Sequence, residues 1–87
     1  MQQGVATSWS VFPNPSNGDL TIQYGGEATR VDIKVIDMAG RNLYAESQQI
    51  GDGQQVRLLL SNLLDAGTYF LQFTAENVRS EQRIIVR

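Results

Sequence analysis

The run SNLLDAGTYFLQF, Ser61 to Phe73, decides the fold. From Thr68 to Thr74 apolar and polar residues alternate, with Tyr69, Leu71 and Phe73 on one side, the period of a half-buried strand. Phe70 is the one apolar residue out of phase. Ahead of the strand, Asp65, Gly67 and Tyr69 occupy i, i+2 and i+4. A tyrosine so placed can turn its hydroxyl back to main-chain groups upstream and brace a crossing between two sheets. The stretch predicts a two-sheet sandwich with Tyr69 at a corner.

Working outward, Asp19 to Tyr24 puts Leu20, Ile22 and Tyr24 on one face, and Val31 to Val35 does the same with Val31, Ile33 and Val35. Ile36 and Met38 continue the apolar face in the opposite phase, which predicts a bulge or bend near Val35. DMAGR is a turn with Gly40 where positive φ is needed, and Asn42 to Gln48 returns as its hairpin partner. Gly51-Asp52-Gly53 is another turn. In VRLLLSNLL, Val56, Leu59, Leu60, Leu63 and Leu64 fit a helical face, but the run is short for a helix. It reads as a strand to Leu60 and then a helical turn.

Arg83 to Arg87 is the last strand, with Ile84 and Val86 on one face and Ile85 on the other. With SWSVF at the start, about seven strands follow at intervals of about eight to twelve residues. The expected fold class is all-β, an immunoglobulin-like antiparallel β-sandwich. Leu71 then stands where antibody domains carry a cysteine.

FPNPSNG, Phe12 to Gly18, precedes the second strand. Pro13 and Pro15 lock φ, lack an N–H and push Phe12 and Asn14 toward extended conformations, so a short stiff extended connector is expected. Asn17-Gly18 is a turn signal.

Composition narrows function by exclusion. The 87 residues contain no cysteine and no histidine, which removes thiol nucleophiles, imidazole bases and Cys/His zinc sites together. Stability must come from the core, and 41% apolar residues against 18% charged can supply one. The net charge of −2 argues against a nucleic-acid partner. It is uneven: Arg79, Arg83 and Arg87 against Glu81 give +2, leaving −4 on Met1 to Val78. No transmembrane helix is encoded, and MQQGVATSW has neither the basic nor the apolar region of a signal peptide. Asp19, Asp37, Asp52 and Asp65 fall in turns, where carboxylates cap main-chain N–H groups. They lack calcium-loop spacing and no carboxylate pair suggests hydrolysis, so no metal, cofactor or catalytic residue is expected.

FPNPSNG (Phe12 to Gly18), VDIKVIDMAGRNLY (Val31 to Tyr44), LSNLLDAGTYFLQF (Leu60 to Phe73) and the closing RIIVR (Arg83 to Arg87) form an ordered set covering Phe12 to Arg87. The set resembles the type A C-terminal sorting domain of cargo proteins of the type IX, or Por, secretion system. The resemblance implies a signal, not an enzyme, that carries an upstream protein from the periplasm of a Gram-negative bacterium to the cell surface or medium. It implies a shuttle protein and outer-membrane translocon as partners, and a sortase-like cysteine protease that removes the domain. The cargo is then released or joined to lipopolysaccharide. On this reading residues 1–8 are linker and 9–87 the sorting domain. Cleavage maps onto Gly4, Val5, Ala6, Thr7 and Ser8, and no cofactor is involved. The family often ends in lysines, where this chain has Arg83 and Arg87; charge is kept, but as a planar fork.

The residues expected to be read are Pro13, Asn14 and Pro15, Gly40, Gly67 and Tyr69, and Arg83, Ile84, Ile85, Val86 and Arg87. Each has an architectural reading beside it. The prolines stiffen the way into a sandwich, Gly40 serves a turn, Tyr69 braces a corner, and charges on an edge strand discourage aggregation. The last strand invites recognition by strand addition or by capture of the terminal carboxylate with its flanking arginines. Open edges also permit a homodimer. The rival function is an immunoglobulin-like accessory module binding polysaccharide or another surface ligand. It requires aromatics gathered on one face, with Trp9, Tyr44 and Phe70 the candidates. A structural spacer between domains is a third reading.

Overall fold

Two antiparallel sheets arise from the alternating runs. The computed structural model describes residues 8–76 and 78–87. Among them are β1 (Ser8–Phe12), β2 (Asp19–Gly25), β3 (Thr29–Asp37), β4 (Asn42–Ile50), β5 (Gln55–Leu59), β6 (Gly67–Ala75) and β7 (Val78–Val86). One sheet has the order β1-β2-β5 and the other β4-β3-β6-β7. In immunoglobulin terms, the first holds the A, B and E positions and the second C, F and G, with β4 beside β3. The all-β sandwich expected from the alternation is the observed fold.

The core lies between the sheets. Leu20, Ile22, Tyr24, Val56 and Leu58 come from one side, and Val31, Ile33, Val35, Leu71, Phe73 and Ile84 from the other, all buried. The rings of Tyr24 and Phe73 meet across the interior at 5.8 Å. The register shift between β3 and β4 falls between Val35 and Ile36, where the apolar phase changes in the sequence. After β5, the N–H groups of Leu63 and Leu64 both donate to the carbonyl of Leu60 at 2.9 Å, forming the expected helical turn. It drops Leu64 into the core.

Three features differ in detail from the sequence expectation. β4 continues to Ile50, and β7 begins at Val78, five residues before Arg83. Arg79, Ser80 and Glu81 show no apolar period, yet they pair with Thr74, Phe73 and Gln72. Cross-strand pairing, not local pattern, makes them strand. The third difference is the segment at Pro13–Pro15. It bends, with both X–Pro bonds cis, as the chain leaves the first sheet and reaches the edge of the second.

Register decides which residues share an end of the sandwich. Asp19 faces Leu59, Asp37 faces Tyr69, and Gly67 faces Val86. Ser16 bridges Val86. Four segments therefore converge at one end: Phe12–Gly18, the 37–41 turn, the corner before β6 and the last residues of β7. Ser8, paired with Gly25, lies at the other end with the Gly51–Gly53 turn. A nine-residue strand separates the two ends by about 30 Å.

Candidate recognition site

The converging segments are joined by hydrogen bonds. Asn14 lies against the outer edge of β7, and its Nδ2 donates to the Arg83 carbonyl while its Oδ1 accepts from the Ile85 N–H, each at 3.0 Å. Ser16 continues the contact. Its N–H donates to the Ile85 carbonyl and its carbonyl accepts from the Arg87 N–H, both at 2.9 Å. The side-chain amide of Asn14 imitates a peptide group, and Ser16 acts as one residue of a parallel strand. Upstream, Gln82 donates to the Trp9 carbonyl at 3.3 Å, and Trp9 Nε1 donates to Ser80 Oγ at 2.5 Å. Residues 9–16 thus track 80–87 in parallel and clasp the last strand.

That clasp constrains how β7 can be read. The outward main-chain groups from the Arg83 carbonyl to the Arg87 N–H are already bonded, so strand addition there would have to displace Asn14 and Ser16. Side chains remain accessible: Arg83, Ile85 and Arg87 are exposed, whereas Ile84 and Val86 are buried. Of the expected site residues, Ile84 and Val86 therefore face the core.

Ser16 and Gly18 hold the turn that delivers the clasp. Ser16 Oγ accepts the Gly18 N–H at 3.0 Å, and Gly18 has φ +109°. A Cβ on Gly18 would stand 2.7 Å from Ser61 Cα, so the chain needs a glycine to cross here. Asp19 Oδ1 accepts the Ser61 N–H at 3.0 Å, tying this turn to the one after β5.

The corner is formed as the spacing required. Tyr69 donates its hydroxyl to the Asp65 carbonyl at 2.7 Å, with its ring buried. A Cβ on Gly67 would stand 3.8 Å from that ring, at ordinary contact distance. Beside it, Asp37 organises the 37–41 turn. Its Oδ1 accepts the N–H groups of Ala39 and Arg41 at 2.9 Å, and its Oδ2 pairs with Arg41 Nε at 2.7 Å. The Arg41 N–H, the largest effect, holds the Asp37 carboxyl below its ordinary range; desolvation opposes it, and the Arg41 side chain and the Ala39 N–H add to the lowering. Gly40 follows at φ +85° with open space around it, so its conformation alone requires glycine. A groove between this turn and the corner is lined by Met38, Leu43, Leu63 and Asp65.

The cleavage residues Gly4 to Thr7 lie outside the described residues; Ser8 begins β1. Among the described residues no cluster of three or more acidic side chains could hold a metal ion. Trp9 stacks on Phe73 at 4.9 Å and Tyr44 packs against the core, while Phe70 lies on the outer face of β6. The three aromatics thus do not gather on one face. The contribution of Asn14 had no local signal, because its partners stand about seventy residues away.

Residues 10–87 match the family model described as the secretion system C-terminal sorting domain. The chain belongs to that family. Comparison with curated proteins finds no match. The resemblance carried by FPNPSNG, the 31–44 hairpin, the corner and RIIVR is therefore correct, and the match spans all four. A sorting domain of this kind is a C-terminal signal for type IX secretion, in a family of signals and not of catalysts. The type IX machinery is its partner, and an attached protein bound for the surface of a Gram-negative cell is its cargo. No helix of the described residues is long and apolar enough to cross a membrane.

Proposed function

We propose that this sorting domain is read at the end of the sandwich where its four motifs converge, while the cargo leaves from the opposite end through residues 1–8. One observation carries the reading: Asn14 and Ser16 clasp Arg83 to Arg87, uniting the first and last motifs at the end remote from Ser8. A receptor can hold that end without meeting the cargo. The shuttle protein and translocon of the type IX system are the proposed receptors, and the periplasm is where they meet the folded domain. Pro13, Asn14 and Pro15 present the last strand, Gly40, Gly67 and Tyr69 shape the loops beside it, and Arg83, Ile85 and Arg87 offer side chains. Ile84 and Val86 contribute by anchoring that strand in the core.

Removal by a sortase-like cysteine protease follows within Gly4 to Ser8, whose last residue already begins β1. A protease needs extended chain in its cleft, and packed sheet denies it. The cargo is then released or joined to lipopolysaccharide.

The test attaches residues 1–87 to the C-terminus of a periplasmic fluorescent protein in a bacterium with type IX machinery. Mass spectrometry of the secreted protein should find a new C-terminus between Gly4 and Ser8. Secretion with the domain still attached would keep the sorting role and overturn removal. Retention of a folded fusion in the periplasm would overturn both.

A further inference from the structure

One patch on the sandwich leaves apolar side chains open to solvent. The outer face of the four-stranded sheet is polar over most of its length, with Asp32, Lys34, Gln72, Thr74, Arg79 and Glu81 in neighbouring positions. At the motif end it turns apolar. Ile36 lies directly opposite Phe70, and Ile85, opposite Thr68, is the diagonal neighbour of Phe70. Such neighbours lie within reach of one another's side chains. Ile85 is 40% exposed, with Ile36 and Phe70 half-buried beside it. Cross-strand contact accounts for part of such a cluster, but the apolar surface it leaves open on an otherwise polar face is the mark of an interaction site.

Cations border this cluster. Arg83 stands opposite Phe70, Lys34 two residues before Ile36 on the same face, and Arg87 two residues beyond Ile85. All three are exposed. The ion pair found among the described residues is Asp37 with Arg41, so none of the three is held in an ion pair there. Two acids share this face: Glu81, two residues before Arg83 and in the row of Lys34, accepts from Gln72 at 2.9 Å, and Asp32, two residues before Lys34, accepts from the Ser47 hydroxyl, which leaves the border with a net positive charge.

We infer that Ile36, Phe70 and Ile85, bordered by Lys34, Arg83 and Arg87, dock an acidic protein surface with an apolar centre on the secretion machinery. This rests on the sorting role proposed above and names the chemistry of its partner. Charge complementarity selects that partner. Arg83 and Arg87 belong to the +2 of Arg79 to Arg87, so an acidic surface is attracted to this border, which orients the encounter. The bonded edge of β7 reinforces the choice, since Asn14 and Ser16 leave side chains, not main chain, for the partner to read. The apolar centre supplies the area and the cationic border supplies orientation.

The test uses the same fluorescent fusion, with binding to purified shuttle protein and translocon measured by biolayer interferometry at low and high salt. Arg83→Glu and Ile85→Ser are compared with Arg79→Glu, which alters the same strand and face at the far end. Thermal melts establish that each variant is folded. Arg83→Glu and Ile85→Ser should each weaken binding about tenfold or more, Arg79→Glu less than about twofold, and salt should weaken the unaltered domain. Export should fall with binding.

Normal binding and export by folded Arg83→Glu and Ile85→Ser would overturn the docking surface and leave the sorting role intact. So would an equal loss in Arg79→Glu, or an exported domain that binds neither protein. Loss of binding to lipopolysaccharide vesicles but not to the proteins would assign the patch to lipid. Dimerisation of the unaltered domain, abolished by the same substitutions, would assign it to a second copy. Failure of the unaltered fusion to be exported would remove the sorting role and this proposal together.

Discussion

Asn14 Oδ1 accepts a hydrogen bond from the Ile85 main-chain N–H at 3.0 Å, across a separation of 71 residues. With the companion bond to the Arg83 carbonyl, one side chain ties FPNPSNG to RIIVR. An unpaired strand edge invites association with another chain, and here Asn14 occupies that edge. Asn14→Ala should lower stability by about 1–2 kcal/mol, the worth of two hydrogen bonds on an exposed side chain. Amide exchange should accelerate at Ile85 and stay unchanged in β3. Urea denaturation and hydrogen exchange by NMR measure both effects.

Gly18 and Gly53 separate conformational strain from steric contact. Gly53 has φ +77° and open space around it, so Gly53→Ala should cost about 1 kcal/mol. Gly18 has φ +109°, and a Cβ would meet Ser61 main-chain atoms, so Gly18→Ala should cost about 2–3 kcal/mol. Chemical denaturation of the two variants gives the difference directly. Equal costs would deny the close crossing of Gly18 over Ser61.

Tyr69 is a corner residue whose hydroxyl bonds Asp65. Tyr69→Phe keeps the buried ring and removes the bond, leaving the Asp65 carbonyl without that donor. A loss of about 1–2 kcal/mol is expected in thermal or urea unfolding. Export of the folded variant should be unchanged. A stable Tyr69→Phe domain that is not exported would instead give the hydroxyl a direct part in recognition.

Two groups give the domain opposite pH responses. Asp37 has a folded pKa below its ordinary 3.8, so the unfolded chain binds a proton first as pH falls. Its contribution is fully present above 3.8 and lost as pH falls through the lower folded value. The stability difference between the unaltered domain and Asp37→Asn should therefore be constant above that pH and shrink below it. Tyr44 runs the other way. Burial first, then its hydrogen bond to Glu46 and that carboxylate's charge, push its phenol from 10.0 to about 12. Its contribution is complete below pH 10.0 and lost as pH rises through about 12, an effect Tyr44→Phe should remove. Melting temperatures across both ranges test these signs.

Much of the sandwich was legible because burial on one face writes itself as alternation. Leu20, Ile22 and Tyr24 announced β2, and Val31, Ile33 and Val35 announced β3, together with the phase change at its bulge. Tyr69 announced the corner. The first half of β7 was hidden because Val78, Arg79 and Ser80 are exposed there and carry no period. Its preceding turn was hidden too, since Glu76 takes φ +52° without a glycine to mark it. The candidate residues were named, but their convergence was not visible. Register brings Gly67 to Val86 and Asp37 to Tyr69, and register depends on pairings far apart in the chain. The role of Asn14 belongs wholly to that long-range arrangement.

The most direct measurement compares export of a fluorescent protein ending in residues 1–87 between cells that have the type IX translocon and otherwise identical cells that lack it. Fluorescence should reach the surface or medium in the first and remain periplasmic in the second. Equal retention of a folded fusion in both strains, or equal release from both, would contradict a sorting signal read by that machinery.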